Sequence, residues 1–335
     1  MIYRTMSIPL RRAALVGHPV LVQGPRGGGK TTLLRNAFPA HAYISLEDPA
    51  ARAMARRDAR AFWGRLRAPT IVDDIHRVPS LIEELEGPRP LILASSLRLR
   101  TPFETFELHS PTRAELEGRA PLPLEMLGRF EPVRAEARRQ TGVAWTAGRT
   151  WLDRDVRALV NVHDLDRFEE FVELAKSRSG EVLDQQALAK ECGVSHRTVV
   201  RWLEVLETCF QVLRLPASDL DFGRRLTRSP KLHFAESASL ESQAVWEIYR
   251  NARHSGMVPE LSYWRDSNGL EIPLVIQTET APVMPAGISE EPNPGDVARL
   301  RRWMELAGVR QGAFIAARGG QLPRKGVLSY SVGEL

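Results

Sequence analysis

The sequence predicts an α/β protein in which a parallel-sheet domain comes first, a helical module second and a small α+β module last. Three observations lead there. From residue 18 to residue 130, short β-like runs alternate with helix-like stretches, the pattern of a largely parallel sheet. From Trp151 to Phe210 almost all of the text has helical periodicity. After Pro216 strand-like runs return, punctuated by Pro and Gly in "TETAPVMPAGISEEPNPGD".

The strand candidates of the first domain, residues 1–130, are "HPVLVQ", "AYISLE", "PTIVDD" and "PLILASS". The polar text "FEPVRAEARRQTGVAWTAGR" lacks apolar periodicity, so residues 131–150 read as a linker. Residues 151–235 form the helical module and 236–335 the α+β module, where a helix at Val297–Leu306 precedes a last strand, "GAFIAA".

Composition narrows the function classes. Hydrophobic residues make up 43% and charged residues 26%, as in an ordinary globular protein. No run reaches the roughly 18 apolar residues of a membrane span. The opening "MIYRTMSIPLRRAALVGHP" has no apolar leader, so a cytoplasmic protein without a membrane partner is expected. Cys192 and Cys209 are too few for a disulfide framework or a zinc site and read as core or surface thiols. A net charge of +5 and a pI of about 9.5 permit a polyanionic partner.

The strongest motif is Gly24-Pro25-Arg26-Gly27-Gly28-Gly29-Lys30-Thr31, which fits G-x-x-x-x-G-K-[ST]. An apolar strand leads in, and "TTLLRNAF", with Thr32 in its first turn, opens a helix. Glycines let successive backbone N–H groups wrap phosphate oxygens. Lys30 would reach the β- and γ-phosphates of ATP, and the Thr31 hydroxyl would ligate Mg²⁺. Further on, "TIVDDIHRVP" places Asp73 at a strand end to hold Mg²⁺ and Asp74 beside it to orient the attacking water. "PLILASS" ends in Ser95 and Ser96, which either sense the γ-phosphate or are turn residues. Together these parts favour hydrolysis over passive binding.

The second motif is "LDQQALAKECGVSHRTVVRWLEVLETCF". A helix at Gln185–Glu191 ends near Gly193, and Ser195 caps the next helix. Val199, Leu203, Leu206 and Phe210 make one apolar stripe on that helix. His196, Arg197 and Arg201 face outward near its start, where a helix-turn-helix meets DNA. Downstream, Arg224, Arg225 and Arg228 are phosphate contacts or a solvated loop. Nothing suggests base-specific reading. The alternative is a module that only packs domains or subunits together.

The segments "GPRGGGKTTLL", "YISLEDPAAR", "TIVDDIHRVPSLIEEL" and "LILASS" resemble the P-loop domain of a widespread bacterial and archaeal AAA-type ATPase family. That family joins this domain to a winged-helix region and a restriction-endonuclease-like C-terminal domain. The similarity continues through the helix-turn-helix, "SPKLHF" and "YWRDSNGLEI". It implies a P-loop NTPase fold and an ATPase working as a homo-oligomer, a hexameric ring or spiral. It also implies that a neighbouring subunit completes the site with an arginine. Arg119 in "LEGRAPL" matches the family's Gly-Arg position best, with Arg113 and Arg129 as weaker candidates.

Three departures stand out. Asp74 replaces the family's Glu and is one methylene shorter, which predicts slow hydrolysis. The stretch "HRVPSLIEELEGPRPL" is a short connection between strands. In the C-terminal module Pro273 stands where a metal-binding Asp is expected, and "VMPAGIS" has no Glu-x-Lys. Asp266 and Glu271 remain and read as a surface turn, so nuclease activity is not expected. The expectation is a DNA-binding ATPase that remodels, translocates on or processes branched DNA, as in repair or recombination. Its rival is a slow nucleotide-gated regulatory switch whose winged helix binds protein.

Overall fold

A computed structural model describes residues 2–85, 90–120, 165–277, 283–317 and 326–335. The expected linker at 131–150, the preceding 121–130 with Arg129, and the first part of the helical module up to 164 lie outside the described residues.

The first sheet has five parallel strands in the order β2-β3-β4-β1-β5. These are β1 (Val20–Gln23), β2 (Ala42–Ser45), β3 (Thr70–Asp73), β4 (Leu91–Ser95) and β5 (Glu104–Glu107). β1, β3 and β4 are buried along their whole length, as central strands of a sheet covered on both faces must be. Successive side chains alternate between the faces. Val20 and Val22 pack with Leu10 of α1 (Ser7–Leu15) and Leu34 of α2 (Lys30–Ala37). Leu21, Val72 and Leu93 meet Ala55 of α3 (Pro49–Arg57), Phe62 and Trp63 of α4 (Ala59–Arg65) and Leu81 of α5 (Ser80–Glu83). Because β1, β3 and β4 are adjacent and parallel, the loops leaving their C-terminal ends all open on one edge. Ligands of open α/β sheets bind at that edge.

After β5 comes α6 (Arg113–Leu116), begun by a capping box of Thr112 and Glu115. The helical module then contributes α7 (Leu165–Ser177), α8 (Gln185–Glu191) and α9 (His196–Thr208). An antiparallel pair follows, β6 (Val212–Leu215) and β7 (Lys231–Phe234). Gly193 takes φ 63 in the turn between α8 and α9, and the Ser195 hydroxyl accepts from the Thr198 N–H. Val199, Leu203 and Leu206 are buried with Phe168, Phe171 and Trp202. Phe210 leaves the helix at φ 59 and turns towards the first domain instead, where Arg98 lies over its ring.

The last module is a five-stranded mixed sheet in the order β12-β11-β10-β9-β8. Its strands are β8 (Glu260–Arg265), β9 (Glu271–Gln277), β10 (Met284–Ser289), β11 (Gly312–Ala316) and β12 (Val327–Ser331). Helix α10 (Leu240–His254) covers one face and α11 (Pro294–Ala307) the other. The loop between β6 and β7 is folded onto this sheet: Ser218 N–H donates to the Tyr263 carbonyl at 2.7 Å, and Thr227 N–H to that of Arg265 at 2.9 Å. The Phe222 ring meets Trp303 edge-on, 5.5 Å between centroids, beside the buried Trp264. Among the described residues no helix is long and apolar enough to cross a membrane.

Candidate nucleotide site

The glycine loop runs from β1 into α2 and is packed against the backbone that follows β5. A Cβ on Gly24 (φ 155) would lie 1.9 Å from the Leu108 carbonyl oxygen. One on Gly28 would lie 3.0 Å from that same oxygen. Gly24→Ala therefore pushes the loop off the end of β5, because the obstacle is backbone and cannot rotate away. A loss of about 3 kcal/mol or more is expected, read as a lowered urea midpoint. A variant of unchanged midpoint would contradict this packing.

Gly29, at φ 90, is the last residue before α2. Lys30 follows, buried, its Nζ donating to the carbonyls of Gly24 (2.9 Å) and Pro25 (3.0 Å). Thr31 and Thr32 are exposed at the start of the helix. Thr31 Oγ1 donates to Asp73 Oδ2 at 2.6 Å, and the Tyr43 hydroxyl donates to the same oxygen at 2.9 Å. The glycine loop and the tip of β3, separated in the sheet by β4, thus meet through one hydrogen bond. Burial, with the Asp73 carboxylate, pushes the Tyr43 phenol up to about 12.

Asp74 sits in the left-handed region at φ 58, ψ 36, which Asp tolerates better than most residues. Its Oδ2 accepts from Ser45 Oγ at 3.2 Å. Burial, then the neighbouring Asp73, raise its carboxyl, while Arg77 and Arg26 pull it down. Arg26 and Arg77 flank Glu47 at 4.0 and 3.7 Å on the same rim.

His76 adds a residue that the motif reading passed over, although it lies two positions beyond Asp74. Its Nδ1 accepts from the Ser96 N–H at 3.3 Å, tying the turn after β3 to the tip of β4. Burial first, then the cations of Arg77, Lys30 and Arg26, hold its pKa down at about 3, so the ring is neutral. The Ser95 hydroxyl donates to the Leu97 carbonyl at 2.6 Å and accepts from the Leu97 N–H. The Ser95 carbonyl accepts from Gly24 N–H at 3.2 Å. Leu97 packs into the core of the helical module, and Arg98 N–H donates to Thr208 O at the end of α9. The tip of β4 therefore links the glycine loop directly to the helix-turn-helix.

The other sequence-predicted residues lie apart from this edge. Arg119 is held within its own chain, its Nε on Glu117 (2.7 Å) and its Nη2 on the Gly333 carbonyl (2.8 Å). The Arg113 N–H donates to Glu247. His196, Arg197 and Arg201 are exposed on α9, with His196 Nε2 3.0 Å from Gln185 Oε1. Arg225 is exposed, whereas Arg224 is bonded to the buried Asp266. In the last module Glu271 pairs with Lys231 and Arg265, and Pro273 shares a small hollow with Gly287 and Ile288. Among the described residues no three His, Cys, Asp or Glu side chains form a metal-holding group.

Around the glycine loop the side chains fit a nucleotide with Mg²⁺. The loop has no room for a Cβ at Gly24 and only a tight fit for one at Gly28, a lysine faces its carbonyls, and a hydroxyl and a carboxylate meet at its mouth. Comparison with known proteins agrees. Residues 17–89 match an AAA domain family. The match takes in β1, the glycine loop, α2 and β3, and an AAA domain implies nucleotide binding. Residues 132–245 match a domain of unknown function (DUF8612). Two uncharacterised mycobacterial proteins, from Mycobacterium bovis and Mycobacterium tuberculosis, are each 25% identical to this chain over 319 residues. Each match covers 83% of this chain and 72% of the relative.

Proposed function

We propose that this chain is an ATPase that couples its nucleotide cycle to DNA held by the helical module, read as a winged helix. The observation that carries the reading is the 2.6 Å bond between Thr31 Oγ1 and Asp73 Oδ2, which joins the glycine loop to the carboxylate strand across β4. Thr31 and Asp73 would hold Mg²⁺, which when bound supplies positive charge to the phosphates. Lys30 exchanges its two carbonyl partners for phosphate oxygens, and Asp74 orients the attacking water and takes its proton.

Assembly into a homo-oligomeric ring or spiral, hexameric by resemblance, would let Arg119 serve a neighbour's site once Glu117 and Gly333 release it. DNA contact falls to His196, Arg197, Arg201 and Arg225, through phosphates and not through base edges. Arg224 joins them only if Asp266 lets it go. The last module, with Pro273 in place of a carboxylate, serves as scaffold. Remodelling, translocation or branch processing in the cytoplasm all fit this arrangement.

Phosphate release from ATP tests it, measured at low and physiological salt without DNA and with duplex, single-stranded and four-way junction DNA. Turnover is expected to rise with one DNA form. Turnover indifferent to every DNA would sink the coupling and favour a slow nucleotide-gated switch whose helical module binds protein. The short Asp74 carboxylate, bonded to Ser45, supports that second reading.

A further inference from the structure

Behind the glycine loop, on the side away from Asp73, lies a closed circuit of buried polar groups that hydrolysis itself does not use. Its centre is Arg4, just ahead of α1 and only 9% exposed. Arg4 Nη1 donates to the Gly28 carbonyl at 2.9 Å, Nη2 to the His109 carbonyl at 2.6 Å and Nε to Glu115 Oε2 at 3.1 Å. Glu115, in α6, also accepts from the N–H groups of Thr5 and Thr112. His254, the last residue of α10, closes the circuit. Its Nδ1 lies 3.2 Å from Glu115 Oε2, and its Nε2 accepts the His109 N–H at 3.0 Å. A backbone N–H can only donate, so Nε2 carries no proton and Nδ1–H points at Glu115.

The Gly28 contact gives the circuit a purpose. In a trans peptide the C=O and the following N–H point in opposite directions. With the Gly28 carbonyl held outward by Arg4, the Gly29 N–H faces the hollow of the loop, where phosphate oxygens are bound. Stability alone does not require such an arrangement, since a buried ion pair is often about neutral against a well-packed apolar replacement. An apolar side chain cannot fix a peptide plane. Nor does lysine, whose three donors rotate about a single nitrogen, reproduce the fixed planar fork that reaches Gly28, His109 and Glu115 at once.

We propose that Arg4 is a positioning residue for the phosphate loop, and that His254 sets Arg4 through Glu115 and His109. The last module thereby adjusts the nucleotide site from behind. The inference rests on the ATPase reading given above and adds to it a route of regulation.

The test uses the full chain with Arg4→Lys, Arg4→Met, His254→Leu and His254→Asn. It measures kcat and KM for ATP, Kd for fluorescent ADP, and the unfolding temperature without nucleotide. Arg4→Lys and Arg4→Met are expected to lower kcat/KM by about 10²-fold, the scale of a misplaced binding group. His254→Leu, which touches no part of the loop, is expected to raise KM and Kd by about tenfold with a smaller change in kcat. His254→Asn, with an amide donor where Nδ1–H stands, is expected to recover part of that loss. If the Arg4 variants fail to fold, the His254 pair decides. A lowered unfolding temperature with unchanged KM and Kd in His254→Leu would make the circuit packing only and overturn the proposal. A wild-type chain that neither binds ADP nor hydrolyses ATP would instead overturn the ATPase reading itself.

Discussion

Lys30→Ala is expected to lower ATP turnover by at least about 10²–10³-fold while leaving the fold in place. The loss follows from where the ammonium sits. Nζ lies on the carbonyls of Gly24 and Pro25 within the glycine loop, a cation placed where the loop would enclose phosphate. Those two carbonyls belong to the loop itself and not to a sheet or core helix, so losing their partner leaves the strand pairings intact. Alanine is also a better helix former at the first position of α2. The unfolding temperature should therefore move by no more than a few degrees, roughly the effect of 1 kcal/mol. Phosphate release and thermal unfolding on one preparation check both halves. Wild-type turnover in Lys30→Ala would mean that the phosphates bind elsewhere. A collapse of the fold would mean that the lysine is structural.

The second large effect is acid unfolding well above the pH at which surface carboxylates protonate. His109, His233 and His254 are essentially unexposed. Burial is the main cause that lowers all three, to about 4 for His109 and about 3 for His233. The unfolded chain takes up these protons below about pH 6.5, while the folded chain does not. Stability is therefore full above that value and falls as the pH drops from about 6.5 towards the folded values. Between the unfolded and folded values His109 and His233 each contribute a slope of up to about 1.4 kcal/mol per pH unit, and His254 adds to it in the same direction. Glu241 and Glu247, raised by burial, take up protons in the folded state and reduce that slope. Glu115 is held at about 2: its burial is outweighed by His254, Arg4 and the Thr5 N–H, so its stabilising share stays intact in this window. Urea unfolding at pH 7, 6 and 5 should show a steeply falling free energy. A flat profile over that range would contradict buried neutral histidines.

The sequence carries the nucleotide edge of the first sheet almost completely. The strands around Val22, Ile44, Val72 and Leu93 are apolar runs ended by Gly, Asp or Ser, and the loop motif lies in contiguous residues. β5 escapes such a reading because its text, "ETFE", puts charge where a buried strand should be apolar. The fold tolerates Glu107 there only because His109, Tyr249, Arg98 and Arg253 converge on it. Those partners are not sequence neighbours as a set, and neither are Arg4, Glu115 and His254, which lie 111 and 139 residues apart along the chain. No periodicity or spacing rule links such positions, so only the folded backbone brings them together. His76 was closer at hand, two residues beyond Asp74. Its value lies in the Ser96 N–H that it accepts, and that depends on how β3 and β4 are placed side by side.

The loop between β6 and β7 has a mechanical consequence. In a free-standing module of this shape that loop would swing in solvent, and the helices could pivot on their own tether. Here Phe222 is wedged against Trp303 beside Trp264, and backbone bonds at Pro216, Ser218, Arg225 and Thr227 pin the loop to β8 and the turn after it. The helix-turn-helix and the last sheet are thus splinted into one stiff lever. Arg197 and Arg201 of α9 are thereby tied to the module that carries α10, whose final residue is the histidine behind the glycine loop.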